Sequence, residues 1–190
     1  MGKNKLLLAS LLFAAIVPLG LQSSAQTRVD DWQARLKQQL PLLGHRNWIL
    51  IVDSAYPLQT SPGIETIETN ADQLAVTKTV LAAVDHSIHV RPIVYLDTEL
   101  PYVPQKDYVG ADTYREGLKK VLQGRPTNSL FHEQILGKID EAGKTYKILV
   151  LKTTMTMPYT SVFLQLDCKY LDDAGEQKLR RAMKAAPATR

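Results

Sequence analysis

A single cysteine in 190 residues leaves no intramolecular disulfide to form, so a small disulfide-stapled scaffold is excluded. Four motifs are also absent: the GxGxxG dinucleotide fingerprint, the GxxxxGK[ST] phosphate loop, the GxSxG nucleophile elbow and the HExxH zinc pair. Dinucleotide-binding, phosphate-loop, serine-hydrolase and zincin readings therefore lack their local signatures. Excess charge is scarce as well. The chain carries 23 basic and 19 acidic residues, a net +4. Two of the lysines, Lys3 and Lys5, lie in the first 25 positions, which hold no acid. Without that segment the surplus halves, and a nucleic-acid partner loses its electrostatic support.

Those first positions have the pattern of a secretory leader. Lys3 and Lys5 precede an apolar run from Leu6 to Leu21, and the small residues Ser23, Ser24 and Ala25 come before Gln26. The expectation is a signal peptide over residues 1–25, cleaved after Ala25, and one periplasmic or secreted domain over 26–190. The alternative is an uncleaved anchor, because the run approaches the roughly 17–25 residues needed to span a bilayer. Pro18 and Gly20 stand against it. No later stretch is long and apolar enough to span, so no membrane partner is expected after cleavage. Cys168 reads as a small buried hydrophobe inside a strand.

The rest alternates between helical and strand-like periods. Trp32, Leu36, Leu40 and Leu43 recur at three- or four-residue steps, which predicts a helix over Asp30 to Leu43, stopped by Gly44. Trp48 to Val52 is too short and too apolar for a surface helix and reads as a strand buried on both faces, ended by Asp53. Ser54 to Gly63, with two prolines, is a loop, and Ile64 to Thr69 a short edge strand. A second helix capped by Asn70 follows, then a strand over Ile93 to Leu96 and a helix over Asp112 to Gln123. Leu130 to Glu141 reads as a fourth helix, Lys147 to Leu151 and Ser161 to Leu166 as strands. Asp172 to Ala185 reads as a last helix, with Asp173 and Glu176 at capping-box spacing. Strands separated by helices imply an α/β fold, a three-layer α/β/α sandwich with a mostly parallel central sheet. In such sheets ligands gather beyond the carboxyl ends of the parallel strands, where Asp53 lies.

Three polar segments carry the candidate chemistry. Gly44-His45-Arg46-Asn47 leads into the first buried strand, and Asp53-Ser54-Ala55-Tyr56-Pro57 leaves it. The plain structural account is that His45 closes a helix and Asp53 caps a turn. Phe131-His132-Glu133-Gln134 places a histidine in an early helical turn, a position that is more often solvated surface. Met157-Pro158-Tyr159-Thr160-Ser161 is a polar turn feeding the last buried strand, and its plain account is a tyrosine packed on the sheet. Asp85, His86 and His89 read as a solvated cluster rather than a metal site.

In serial order these segments resemble the ribose pyranase and fucose mutarotase family. That family has a Gly-His-x-Asp lead, a buried strand, Asp-Ala-x-x-Pro, and a Pro-Tyr-x-Asn turn into a final strand. Here they stand as Gly44-His45-Arg46-Asn47, Asp53-Ser54-Ala55-Tyr56-Pro57 and Pro158-Tyr159-Thr160-Ser161. The resemblance runs from about Gln33 to Cys168. Asn47 replaces an acid, Ser54 intrudes into Asp-Ala, and Ser161 stands where the family has an asparagine.

The resemblance implies a ribose pyranase-like fold and cofactor-free opening and closing of a monosaccharide ring, with no metal. It implies His45 as principal acid/base, Asp53 as its orienting carboxylate or as a hydroxyl acceptor, and His132 as second proton carrier. Tyr159 and Ser161 would contact the sugar. A neutral histidine suits the task because its reference pKa of about 6.5 lets it take or give a proton near neutrality. His45 and Asp53 bracket a strand, so either the residues before Trp48 fold back or the two belong to different sites or subunits. The family implies a homo-oligomer with pockets between copies. A non-catalytic protein binding a sugar or another small polar ligand, and a scaffold with no ligand, are the alternatives.

Overall fold

A computed structural model describes residues 31–185. The expected signal peptide, residues 1–25, lies outside them. Helix α1 (Trp32–Gln39) begins where the Asp31 carboxylate accepts the Ala34 N–H at 3.1 Å, and it tightens into a 3-10 turn at Leu40–Leu42. β1 (Trp48–Val52) is buried over its whole length, as an unbroken run of bulky apolar residues requires. The order continues β2 (Ile64–Glu68), α2 (Gln73–His86), β3 (Val90–Asp97), α3 (Ala111–Val121) and β4 (Thr127–Leu130). α4 (His132–Gly143), β5 (Ile148–Lys152), β6 (Val162–Cys168) and α5 (Asp173–Ala185) complete it.

The described residues form one six-stranded sheet in the order β2-β5-β1-β6-β3-β4. β2, β5 and β1 are mutually parallel, and so are β3 and β4. β6 runs antiparallel to both β1 and β3, between which it is wedged. The other five strands therefore point one way.

Side chains alternate between two packed layers. Ile49, Ile51, Leu149, Leu151, Leu164 and Val94 face α1, α2 and α3, where Leu36, Val76, Val80 and Leu118 meet them. Trp48, Leu50, Ile148, Val150 and Phe163 face the other way, onto Ile135 and Ile139 of α4. Each fully buried side chain of this size contributes roughly 1.5–3 kcal/mol, whereas an exposed ion pair such as Lys144–Glu141 is screened by solvent and adds little. The sheet and its two helical layers, not surface charge, hold the fold. This is the three-layer, mostly parallel architecture expected from the alternation of periods.

Local details differ from the sequence reading. α2 is capped by Asp72, whose carboxylate accepts the Ala75 N–H at 2.9 Å, rather than by Asn70. Asn70 is in the left-handed region (φ 48°), and its backbone N–H donates to the Glu68 carboxylate at 3.2 Å. α5 is capped by Asp172, which accepts from the Gly175 N–H at 2.7 Å, while Glu176 turns to Arg180. β4 is an additional strand, polar and exposed along its first three residues. Cys168 is the last residue of β6 and only half-buried. Among the described residues no helix is long and apolar enough to cross a membrane.

Candidate functional site

Sheet polarity decides what comes together. The carboxyl ends of β1 and β3 deliver Asp53 and Asp97 to one edge, and α4 begins beside them with His132. Because β6 runs the opposite way, the turn before it brings Tyr159 and Ser161 to that same edge. Asp53, His132 and Tyr159 line a cleft of about 470 Å³ together with Tyr56, Tyr108 and Met157. Ser161, buried beside it, turns its hydroxyl toward the Asp53 carboxylate at 3.4 Å, the long limit of a hydrogen bond.

The other Asp53 oxygen accepts the Ala55 N–H at 2.9 Å. His132 Nδ1 lies 3.1 Å from the Asp97 carboxylate, and its ring meets that of Tyr159 edge-on, with centroids 5.5 Å apart at 84°. The His132 backbone N–H donates to both Glu99 carboxylate oxygens, at 3.1 and 3.2 Å. A carboxylate suits the first turn of a helix, where unpaired N–H groups and the helix dipole favour negative charge. The Gln134 side chain closes the same turn by accepting the Phe131 N–H at 3.2 Å.

Tyr159 itself holds φ at 58°, a left-handed conformation that costs a non-glycine residue roughly 1–2 kcal/mol. A buried polar brace opposes the relaxation of that turn. The Thr160 carbonyl accepts from the Tyr114 hydroxyl at 2.5 Å and from the Gln73 amide, and the Thr160 hydroxyl donates to the Met157 carbonyl at 2.8 Å. The Gln73 carbonyl oxygen in turn accepts the Thr153 hydroxyl at 2.9 Å. Four residues from four parts of the chain thus fix one peptide next to the cleft.

Burial raises the Asp97 carboxyl above its ordinary 3.8, outweighing its hydrogen bond to His132. The Asp97 side chain is fully buried, and its Oδ2 has no hydrogen-bond partner among the described residues. His132 is raised above its ordinary 6.5, chiefly by the hydrogen bond with Asp97 and against the opposing effect of partial burial. Tyr56 has a buried hydroxyl without a described partner, and burial pushes it up to about 12. It remains a proton donor throughout the neutral range.

His45 sits at the opposite edge. Its Nδ1 lies 2.9 Å from Asp167, near the far end of β6, and Asp167 also accepts from Arg91 Nε at 2.9 Å and Nη2 at 2.6 Å. Burial would raise the Asp167 carboxyl, but Arg91, the Cys168 N–H and His45 together outweigh it and hold the group below its ordinary 3.8. The five residues of β1, at about 3.3 Å each, separate His45 from Asp53. Within one chain the residues before Trp48 do not fold back, and Asp167 rather than Asp53 is the carboxylate that orients His45. A separate cleft of about 790 Å³ opens beside His45, lined by Arg46, Trp48, Gln134, Tyr146 and Gln165.

Sequence reasoning passed over Asp97, Tyr56 and Asp167. Asp97 had a usable signal: it ends the apolar run Ile93 to Leu96 in the same way that Asp53 ends Trp48 to Val52. Among the described residues no group of three or more His, Cys, Asp or Glu side chains is arranged to hold a metal ion.

Fold and cleft together define a three-layer α/β protein with a polar pocket beyond the carboxyl ends of its strands. The solved structures it is similar to include Bacillus subtilis RbsD complexed with D-ribose, at a TM-score of 0.50 and 17% identity, over 70% of this chain and 90% of that one. FucU from Bifidobacterium longum is similar at a TM-score of 0.47 and 17% identity, over 69% and 90%. The fucose mutarotase of Streptococcus pneumoniae in complex with L-fucose gives 0.44 and 17%, over 69% and 89%. The RbsD likeness establishes the fold. No family model and no curated protein sequence matches the chain.

Proposed function

We propose that this chain is a divergent relative of the ribose pyranases and fucose mutarotases that interconverts ring forms or anomers of a free monosaccharide. The observation that carries the reading is a convergence. Asp53, His132, Tyr159 and Ser161 come from segments separated by up to 108 positions, and they meet at one cleft. Ring opening removes a proton from the anomeric hydroxyl as the C1–ring-oxygen bond breaks, and it delivers a proton to the ring oxygen; closure reverses both transfers. His132 Nε2 suits one transfer, with Asp53 and Tyr159 holding sugar hydroxyls. His45 suits the other when supplied by a neighbouring copy, which makes the working unit a homo-oligomer. Positioned acid/base groups contribute typically 10²–10⁴-fold, a scale adequate for a reaction that already proceeds in water. No metal or organic cofactor enters this scheme. With a cleaved leader, the reaction would be carried out in a periplasmic or extracellular space.

A non-catalytic sugar-binding protein is the second reading, and Ser161 favours it. A serine hydroxyl lacks the fixed donor and acceptor pair of the asparagine amide found there in the family. Saturation-transfer NMR on a panel of aldoses separates the two. Enhanced exchange for at least one sugar, lost in His45→Ala and His132→Gln, is the expected result. Binding without any enhancement would leave the second reading.

A further inference from the structure

We infer that Asp97 is a positioning residue for His132: it accepts a hydrogen bond from Nδ1–H and so leaves Nε2 as the nitrogen presented to a ligand. Its role deepens the reading of this edge as a sugar pocket and rests on it. The geometry comes from three independent constraints. Asp97 ends β3 inside the sheet, its side chain fully buried, with Oδ1 3.1 Å from His132 Nδ1. The His132 backbone is pinned by the Glu99 carboxylate two residues further along the same strand exit. The Tyr159 ring abuts the imidazole edge-on, which limits rotation of the ring about its own axis. Among the described residues no protein group hydrogen-bonds to Nε2.

The division of labour between the two carboxylates follows. Asp53 has one oxygen on the Ala55 N–H and the other near the Ser161 hydroxyl at the mouth of the cleft, so it is the carboxylate free to accept a sugar hydroxyl. Asp97 is out of reach of solvent and serves the histidine. A carboxylate that accepts Nδ1–H keeps the neutral ring in the tautomer whose Nε2 lone pair is a base, and it stabilises the imidazolium formed once that lone pair is protonated. The Asp97 Oδ2 is a buried acceptor with no hydrogen-bond partner among the described residues, and its other oxygen faces His132.

Other titratable groups face this histidine from each packed element. Glu99 lies after β3, Glu133 on α4 itself, Asp53 and Tyr56 after β1, and Tyr108 and Tyr159 on the surrounding loops. The measurement must tell Asp97 apart from them, and it should not depend on any sugar. The full-length protein is titrated by long-range ¹H–¹⁵N NMR of its imidazoles, with His132 assigned as the signal missing in His132→Gln. In the wild type, His132 should titrate above 6.5, and its neutral form should carry the proton on Nδ1. Asp97→Asn should lower that titration and Asp97→Glu should restore part of it, whereas Asp53→Asn should move it less than Asp97→Asn does.

A neutral His132 protonated on Nε2 in the wild type overturns the assignment, whether or not the Asp97 variants fold. So does an Asp97→Asn titration that matches the wild type. If the tautomer and shifts are as expected but no aldose binds, the sugar reading fails while the dyad stands.

Discussion

Tyr159 occupies a backbone conformation that its own side chain disfavours, and its ring and hydroxyl do separable things. The ring packs edge-on against His132, while the partly exposed residue lines the cleft and its hydroxyl has no protein partner among the described residues. Tyr159→Phe is expected to leave the melting temperature unchanged and to weaken binding of the cognate sugar by about 1 kcal/mol, roughly five-fold, the ordinary worth of one hydrogen bond. Isothermal titration reads the affinity. The imidazole beside it makes a pH prediction with a definite sign. His132 is raised above 6.5 in the folded protein, so the stability it contributes is complete below 6.5 and is lost as pH climbs through the raised value. Asp97 has the opposite role. Burial raises its carboxyl above 3.8, so ionising it costs folding free energy as pH rises through that raised value. Urea unfolding of wild type and His132→Gln should therefore differ most just below 6.5 and converge at higher pH.

At the scale of elements, the brace under the Thr160 peptide ties the starts of α2 and α3 to the turn before β6. Gln73→Leu leaves the Thr153 hydroxyl without its side-chain acceptor and the Thr160 carbonyl with one donor fewer, all in buried surroundings. Each keeps one partner, the Val52 carbonyl and the Tyr114 hydroxyl, so a loss of about 0.5–1.5 kcal/mol per hydrogen bond removed is expected, with faster amide exchange at Ser161 as the local sign. α5 makes the contrasting case, since none of its residues is buried. Truncation after Tyr170 should change urea stability by less than about 1 kcal/mol, because surface substitutions and deletions lose little packing.

What the sequence disclosed follows the same division. Strands such as β1 and β5 are legible because burial on both faces demands an unbroken apolar run. β4 is not, because an edge strand with exposed threonine, asparagine and serine has the composition of a loop. Asp53, His132, Tyr159 and Ser161 were legible as polar interruptions next to buried strands. Asp97 carries the same mark as Asp53, an acid ending an apolar run, but it has no polar motif around it to single it out. The Asp167 partner of His45 lies 122 positions away, a pairing that no local pattern encodes.

For the whole molecule, the decisive fact is that His45 and the His132 cleft occupy opposite edges of one sheet. If neighbouring copies share a site, a His45→Ala chain and an Asp53→Asn chain are each defective alone, yet mixing them rebuilds intact sites where an Asp53 from one meets a His45 from the other. Unfolding and co-refolding the two variants together should recover a substantial fraction of wild-type exchange, and sedimentation should find a homo-oligomer. Equal inactivity of the mixture, with mixed assembly verified, would argue for two unrelated sites on each chain.

The reversed course of β6 has a consequence for insertions and deletions. Its first residue adjoins Ser161 and the Tyr159 turn, and its sixth is Asp167, the anchor of His45. One seven-residue strand therefore gauges both edges of the sheet like a ruler. Inserting or deleting a single residue in it would turn Phe163 and Leu164 to the wrong layers and would shift both polar clusters in the same stroke. A one-residue insertion or deletion here is therefore expected to cost both polar clusters together, whereas a substitution at either end of the strand touches only one of them.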